Sequence, residues 1–235
     1  MNKGKLYLIP SLLTDGKVES VIPEGTLAII RSLDHFIVEE IRTARRFLIR
    51  AGIHTAIDDL TFVVFNEHSK EVDLNEFLAC TGDGHDIGLL SEAGAPCVAD
   101  PGSLIVAAAH DLGIRVVPLT GPSSVLLALM ASGFNGQNFC FSGYLPADKV
   151  MRVKKIRELE RNIRENDQTQ IFIETPYRNL QLFEALTATC NENTLLCIAC
   201  DLTGVNEYII TKTIGAWKKI KPDINKKPAI FLLYH

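Results

Sequence analysis

No apolar run in the chain approaches the roughly 20 residues a bilayer span demands; the longest, 9–13 (broken by Pro10) and 125–131, fall far short. The opening MNKGKLYLIP reaches Pro10 with no extended apolar stretch and no small-residue cleavage pattern, so a signal peptide is not expected. Nucleotide and hydrolase signatures are missing too. No G-x-G-x-x-G follows the first apolar run, and no Walker A, H-E-x-x-H or G-x-S-x-G occurs. The loop Gly82-Asp83-Gly84-His85-Asp86 lacks the spacing and terminal Glu of an EF-hand, and a polar hairpin is expected there. Six cysteines form no paired framework: Cys197 and Cys200 are spaced C-x-x-C, but no second pair supports zinc. Reduced, mostly buried thiols and a soluble, cytoplasmic protein are the expectation.

The 235 residues are 47% hydrophobic and 22% charged, enough apolar material for one large or two small domains and too much for disorder. The net charge of -4 is unevenly spread. Residues 120–235 hold 14 Lys/Arg against 11 Asp/Glu, whereas 1–119 hold 10 against 17. The basic stretch Lys149, Arg152, Lys154, Lys155, Arg157, Arg161, Arg164 is interleaved with Glu158, Glu160 and Glu165. At helical spacing this reads first as a salt-bridged, solvated face, with a phosphate contact as the other option. An acidic balance argues against avid non-specific nucleic-acid binding.

Apolar runs predict strands at 5–9, 26–30, 61–65, 86–91, 114–118, 138–143, 169–174, 195–201, 207–213 and 229–234. Helical spacing predicts helices at 41–51, 73–80, 104–112, 123–132, 149–165 and 178–189, three of them followed by Gly52, Gly113 and Gly133. The alternation predicts an α/β chain, mostly parallel in domain 1–119. In domain 120–235, strands with no long helix between them predict antiparallel pairing and a mixed sheet.

Two loops draw attention. One runs from Leu89 to Gly102 after an apolar strand, and a Gly/Pro-punctuated loop at a parallel strand's carboxyl end is where open α/β sheets bind ligands. Gly94 and Gly102 permit positive φ or a close approach of backbone and ligand. The other, Pro118-Leu119-Thr120-Gly121-Pro122-Ser123-Ser124, opens an apolar helix whose free N–H groups and hydroxyls suit a carboxylate or ribose. Each alone reads better as a tight strand-to-helix turn; two such loops on adjacent strands shift the balance toward a ligand site.

Ser91-Glu92-Ala93-Gly94-Ala95-Pro96 with Asp100-Pro101-Gly102 resembles the S-D-A-G-T-P…D-P-G block of the tetrapyrrole-methylase superfamily of S-adenosylmethionine (SAM) methyltransferases. Pro118 to Ser124, Gly143-Tyr144-Leu145-Pro146 and Phe172-Ile173-Glu174-Thr175-Pro176-Tyr177-Arg178 are similar to further blocks, in order, of its small-subunit ribosomal RNA (cytidine-2′-O-)-methyltransferase I branch. The first loop, Pro10 to Gly16, departs from that family's G-T-P-I-G-N. Its A-E-D-T-R stands here as Val38-Glu39-Glu40-Ile41-Arg42, and its A-R-E-L-T-K as Ala199-Cys200-Asp201-Leu202-Thr203-Gly204.

The resemblance implies a two-domain tetrapyrrole-methylase-like fold and SAM in a cleft between the domains. It also implies homodimerisation, no metal, and a ribosomal RNA or small-subunit substrate. Cofactor contacts carry over to Ser91, Ala93, Gly94, Gly121, Ser123 and Ser124, with Pro10, Leu202 and Pro228 at strand ends. Glu39 and Glu40 stand where a base for a ribose hydroxyl is wanted, and Arg42 where a phosphate or one of those acids is held. Helix N-terminal charge accounts for the two acids equally well. The spacing of Ile37, Ile41, Ala44 and Leu48 reads as one continuous helix, against the strand end the resemblance implies. Two other functions fit the sequence: methylation of a tetrapyrrole or other small molecule, and SAM binding without turnover.

Overall fold

The computed structural model describes residues 3–66, 69 and 73–235. The chain divides into two compact units, 1–123 and 124–235.

The first unit is a five-stranded parallel sheet in the order β3-β2-β4-β1-β5, formed by β1 (Lys5–Ile9), β2 (His35–Val38), β3 (Thr61–Val64), β4 (Ile87–Leu90) and β5 (Arg115–Pro118). Helices α1 (Glu24–Arg31) and α2 (Ile41–Ala51) follow β1 and β2. They pack Leu27, Ile30, Phe47 and Leu48 against Ile9, Phe36 and Val38. Helices α3 (Leu74–Phe77) and α4 (Ser103–Asp111) give Phe77, Ile105 and Ala109 to a second core with Leu6, Ile37 and Leu89. The connections leaving neighbours β1 and β4 therefore run to opposite faces of the sheet. Their carboxyl ends open the crevice where such sheets take ligands.

The second unit has strand order β6-β7-β10-β8-β9, with β6 (Phe139–Tyr144), β7 (Thr169–Ile173), β8 (Leu195–Cys200), β9 (Tyr208–Thr213) and β10 (Ala229–Tyr234). β6 and β7 are parallel; β10 is antiparallel to β7 and β8, and β9 to β8. Helices α6 (Lys149–Asn166), α7 (Asn179–Thr189) and α8 (Ile214–Trp217) cover one face with a core that includes Ile156, Leu182 and Trp217. Helix α5 (Ser124–Ser132) contacts β9 and β10, where the Thr211 hydroxyl donates to the Ser132 carbonyl at 2.9 Å. The interleaved charges of α6 form the salt-bridged face expected of them: Lys155–Glu158, Arg161–Glu165 and Arg164–Glu160. All six cysteines are free, three of them buried.

The α/β alternation and the parallel-then-mixed pairing stand as expected; four local expectations are corrected. Residues 26–30 are helix, not strand. Pro23 caps α1, and the buried Thr26, Leu27 and Ile30 mark one helical face that the β-branched Ile29-Ile30 pair disguised. Residues 35–38 form a short, almost fully buried strand, so Ile37 and Ile41 do not share a helix. The segment at Gly82 to Asp86 is no hairpin: a 3-10 turn, Ala79–Asp83, ends on left-handed Gly84 and leads into β4. The helix expected over 73–80 is only the single turn α3 and that 3-10 segment.

Candidate functional site

Three loops leaving the carboxyl ends of β1, β4 and β5 are tied together in the first unit. The Ser11 N–H donates to the Gly94 carbonyl at 2.9 Å, which also receives the Ser91 hydroxyl at 3.2 Å. Gly94 has φ +73°, and a Cβ there would stand 2.8 Å from Leu13 Cδ2. At Gly121 a Cβ would be 2.2 Å from Pro10 Cγ, so the ring of Pro10 fills that space. The close approaches these two glycines permit are made by the chain itself, by Leu13 and Pro10. The Thr26 hydroxyl adds a bond from α1 to the Thr120 carbonyl at 2.9 Å.

The loops leave polar groups without a partner. Ser11 is buried and its hydroxyl finds no hydrogen bond among the described residues. The half-buried Ser123 and Ser124 likewise make no side-chain hydrogen bond there. The unsatisfied Ser11 hydroxyl, at the carboxyl edge of a parallel sheet, fits a ligand bearing hydroxyls or a carboxylate. The hollows nearby are about 10 and 20 Å³, room for a water at most and too small to enclose such a ligand.

Glu39 follows the last residue of β2 and borders both hollows, the larger together with Ser11, Thr43, Ser91 and Glu92. It is half-buried and accepts the Glu92 N–H at 3.3 Å. Burial raises its carboxyl pKa, the Glu92 N–H opposes the rise, and the Asp100 and Glu92 charges add to it. Burial, with the Glu40 charge, also raises Glu92. Asp100 is raised by burial against two backbone hydrogen bonds. These come from Gly102 N–H (2.7 Å) and Cys97 N–H (2.8 Å), and they pin a turn in which Cys97 and Ala99 are left-handed.

Glu40 has a different office. Its carboxylate accepts the N–H groups of Arg42 (2.8 Å) and Thr43 (2.7 Å) and the Thr43 hydroxyl (2.7 Å), capping α2. Those bonds, the Thr43 hydroxyl first, lower its pKa below 4.5. The stabilisation is present above pH 4.5 and is lost as pH falls through the lowered value. Glu40→Ala is expected to lower the melting temperature by roughly 2–4 °C at pH 7. Thermal unfolding at pH 7 and pH 3 should show that difference shrinking on acidification.

The remaining sequence candidates make no side-chain hydrogen bond to this cluster among the described residues. Ala93 is exposed on the β4 loop, and Arg42 is exposed on α2. In the second unit, Leu202 is buried and Pro228 accepts the Asp201 N–H at 2.9 Å. The turn that contains Leu202 is held by its own residues: Asp201 and Thr203 are left-handed, and the Thr203 N–H donates to Glu207 at 2.6 Å. Sequence reasoning gave Ser11 no role, and left Glu92 and Asp100 as letters in a quoted block. Only the acidic positions carried a signal; the isolation of the Ser11 hydroxyl is a property of packing.

The family described as Tetrapyrrole (Corrin/Porphyrin) Methylases matches residues 20–217. The chain belongs to this family and is a SAM-dependent methyltransferase. It is 30% identical to the Ribosomal RNA small subunit methyltransferase I of Escherichia coli O157:H7, over 99% of this chain and 77% of that protein. It is 31% identical to the protein of the same name from Haemophilus influenzae, over 90% and 70%. Among solved structures, the methyltransferase CobJ aligns with TM-score 0.64 at 18% identity, covering 99% of this chain and 94% of that one. The uroporphyrin-III-C-methyltransferase from Thermus thermophilus aligns with TM-score 0.59 at 16%, over 99% and 94%. At those identities the likeness is one of fold. No helix among the described residues is long and apolar enough to cross a membrane, and none of the described residues forms an acid, His or Cys cluster suited to a metal ion.

Proposed function

We propose that the chain methylates a ribose 2′-hydroxyl in small-subunit ribosomal RNA, at the carboxyl edge of the parallel sheet, with Glu39 as the base. The substrate class is supported by the shared name of relatives that align along nearly the whole chain. The site is carried by one observation: a half-buried carboxylate of raised pKa at the end of β2, beside three loops joined at Gly94 and Gly121.

SAM supplies a methyl group on a cationic sulfur that leaves as a neutral thioether, so no acid is needed for departure. Ser91, Ala93, Gly94, Gly121, Ser123 and Ser124, with Pro10, Leu202 and Pro228 as weaker contacts, are the residues to hold it. The chain's main task is alignment of the attacking oxygen, which supplies about 7–11 kcal/mol of barrier reduction. As the new oxygen–carbon bond forms, the hydroxyl proton passes to Glu39. A carboxylate lifted toward the working pH is the better base, contributing about 10²–10⁴-fold. Arg42, exposed at the start of α2, holds a substrate phosphate in this reading. A ribosomal substrate puts the protein in the cytoplasm, and we read it as a homodimer, which light scattering tests.

The deciding experiment incubates the protein with labelled SAM and undermethylated small ribosomal subunits, then maps the product. Label in one 2′-O-methylated nucleotide is the expected result. Label only in a tetrapyrrole or other small molecule overturns the substrate assignment.

A further inference from the structure

Helix α2 carries four arginines and no acid in eleven residues, within a part of the chain that is otherwise strongly acidic. Two of the four are committed. Arg45 pairs with Asp58, and Arg50 pairs with Asp15 and donates to the Gly16 carbonyl. Arg42 and Arg46 are not. Both are exposed, and among the described residues neither makes an ion pair or donates a side-chain hydrogen bond. Four residues apart, they share one helix face, with Cβ atoms about 5–6 Å apart. Thr43, on the turn between them, borders the 20 Å³ hollow with Ser11, Glu39 and Glu92. The acid beside Arg42 is Glu40, whose carboxylate is occupied by the three bonds that cap the helix. The charge of Arg46 reaches Glu92 without pairing with it.

We infer that Arg42 and Arg46 form a two-armed cradle for a phosphodiester of the substrate strand, at the rim of the site that holds Glu39. The inference rests on the ribosomal RNA reading above and adds Arg46 as a positioning residue. A planar guanidinium fork matches phosphate oxygens, and two of them one helical turn apart grip a single group or two neighbours. Over an acidic surface, a local pair of unpaid cations decides where a polyanion settles and in which direction its ribose is presented. The arginines tied to Asp58 and Asp15 cannot serve without breaking those pairs, so the cradle is confined to this face.

The test compares wild type, Arg46→Ala, Arg42→Ala/Arg46→Ala and Arg46→Lys. KM and kcat are measured on undermethylated small subunits, and binding on RNA extracted from them across a salt series. Arg46→Ala should raise KM about tenfold with kcat held within about twofold. It should also lower the slope of log affinity against log salt by about 1, and the double variant by about 2. Arg46→Lys restores the slope, through its charge, but only part of the affinity. SAM affinity by calorimetry should match wild type in Arg46→Ala, which separates lost docking from misfolding. If wild type methylates subunits while Arg46→Ala keeps the same KM and salt slope, the cradle is wrong and the substrate reading stands. A KM effect on subunits with no change in binding to extracted RNA would point to an acidic protein segment, and also overturns it. If wild type methylates no ribosomal RNA, the substrate reading falls first and the cradle with it.

Discussion

Glu39→Gln should fold normally and turn over about 10²–10⁴ times more slowly than wild type on undermethylated subunits. The amide oxygen still accepts the Glu92 N–H, so the end of β2 keeps its tie to the β4 loop while the proton acceptor is gone. Wild-type rate should climb with pH through the raised Glu39 pKa and then level, and the variant should lack that limb. Stability moves the other way. A carboxyl whose folded pKa lies above the ordinary 4.5 binds its proton more tightly in the folded state, so stability falls as pH rises through the folded value. Glutamine removes that loss, so Glu39→Gln should melt higher than wild type at pH 7, and the gap should close below pH 4.5. Unchanged turnover would dismiss Glu39 as the base; a melting point lower at pH 7 would contradict the buried-charge account.

Arg178→Ala should be among the most damaging single changes in the second unit. Glu174, at the end of β7, has a side chain with 0% exposure. Its Oε1 accepts Arg178 Nη2 at 2.6 Å, Arg178 Nε at 3.0 Å and the Thr175 N–H at 2.7 Å, while Oε2 is buried without a partner. Removing the guanidinium strands a buried carboxylate, which costs about 3–5 kcal/mol. For a chain of this size that is roughly a 10 °C fall in melting temperature. Glu174→Gln/Arg178→Ala should recover much of it, because the stranded charge is gone. A fall of no more than about 2 °C in the single variant, by calorimetry, would show that the pair is not carrying that load. The acid and base of the Phe172-to-Arg178 block thus serve each other, and the local chain, before any ligand.

Much of the fold could be read from the letters because apolar periodicity and turn chemistry agreed over most elements. Helix α2 and strands β1 and β10 have the bounds the spacing predicts. Failures came where local preference and tertiary burial disagreed. In α1, two adjacent isoleucines favour a strand, yet only Ile30 of the pair is buried. In β2, four residues are too few to show alternation, and burial on both faces removes it altogether. The site was legible as loops and as acids, through Gly94, Gly121, Glu39 and Glu40. The division of labour between the two glutamates was not, since it depends on which one turns toward the α2 N–H groups. Nor could the sequence say that Pro10 and Leu13, each more than eighty residues away from its glycine, would fill the space beside Gly121 and Gly94.

Strand β1 lies between β4 and β5, and its Leu6 pairs with Ile87 on one side and Val116 on the other. On a translating ribosome, therefore, the amino-terminal strand waits with both hydrogen-bonding edges bare until about eighty further residues have been made, and with one edge bare until more than a hundred have. At about 5–20 residues per second, that is an interval of roughly 5–20 s. Nascent chains stalled before the fifth strand should be the ones that aggregate or recruit chaperones, whereas the β8–β9 partners emerge almost together.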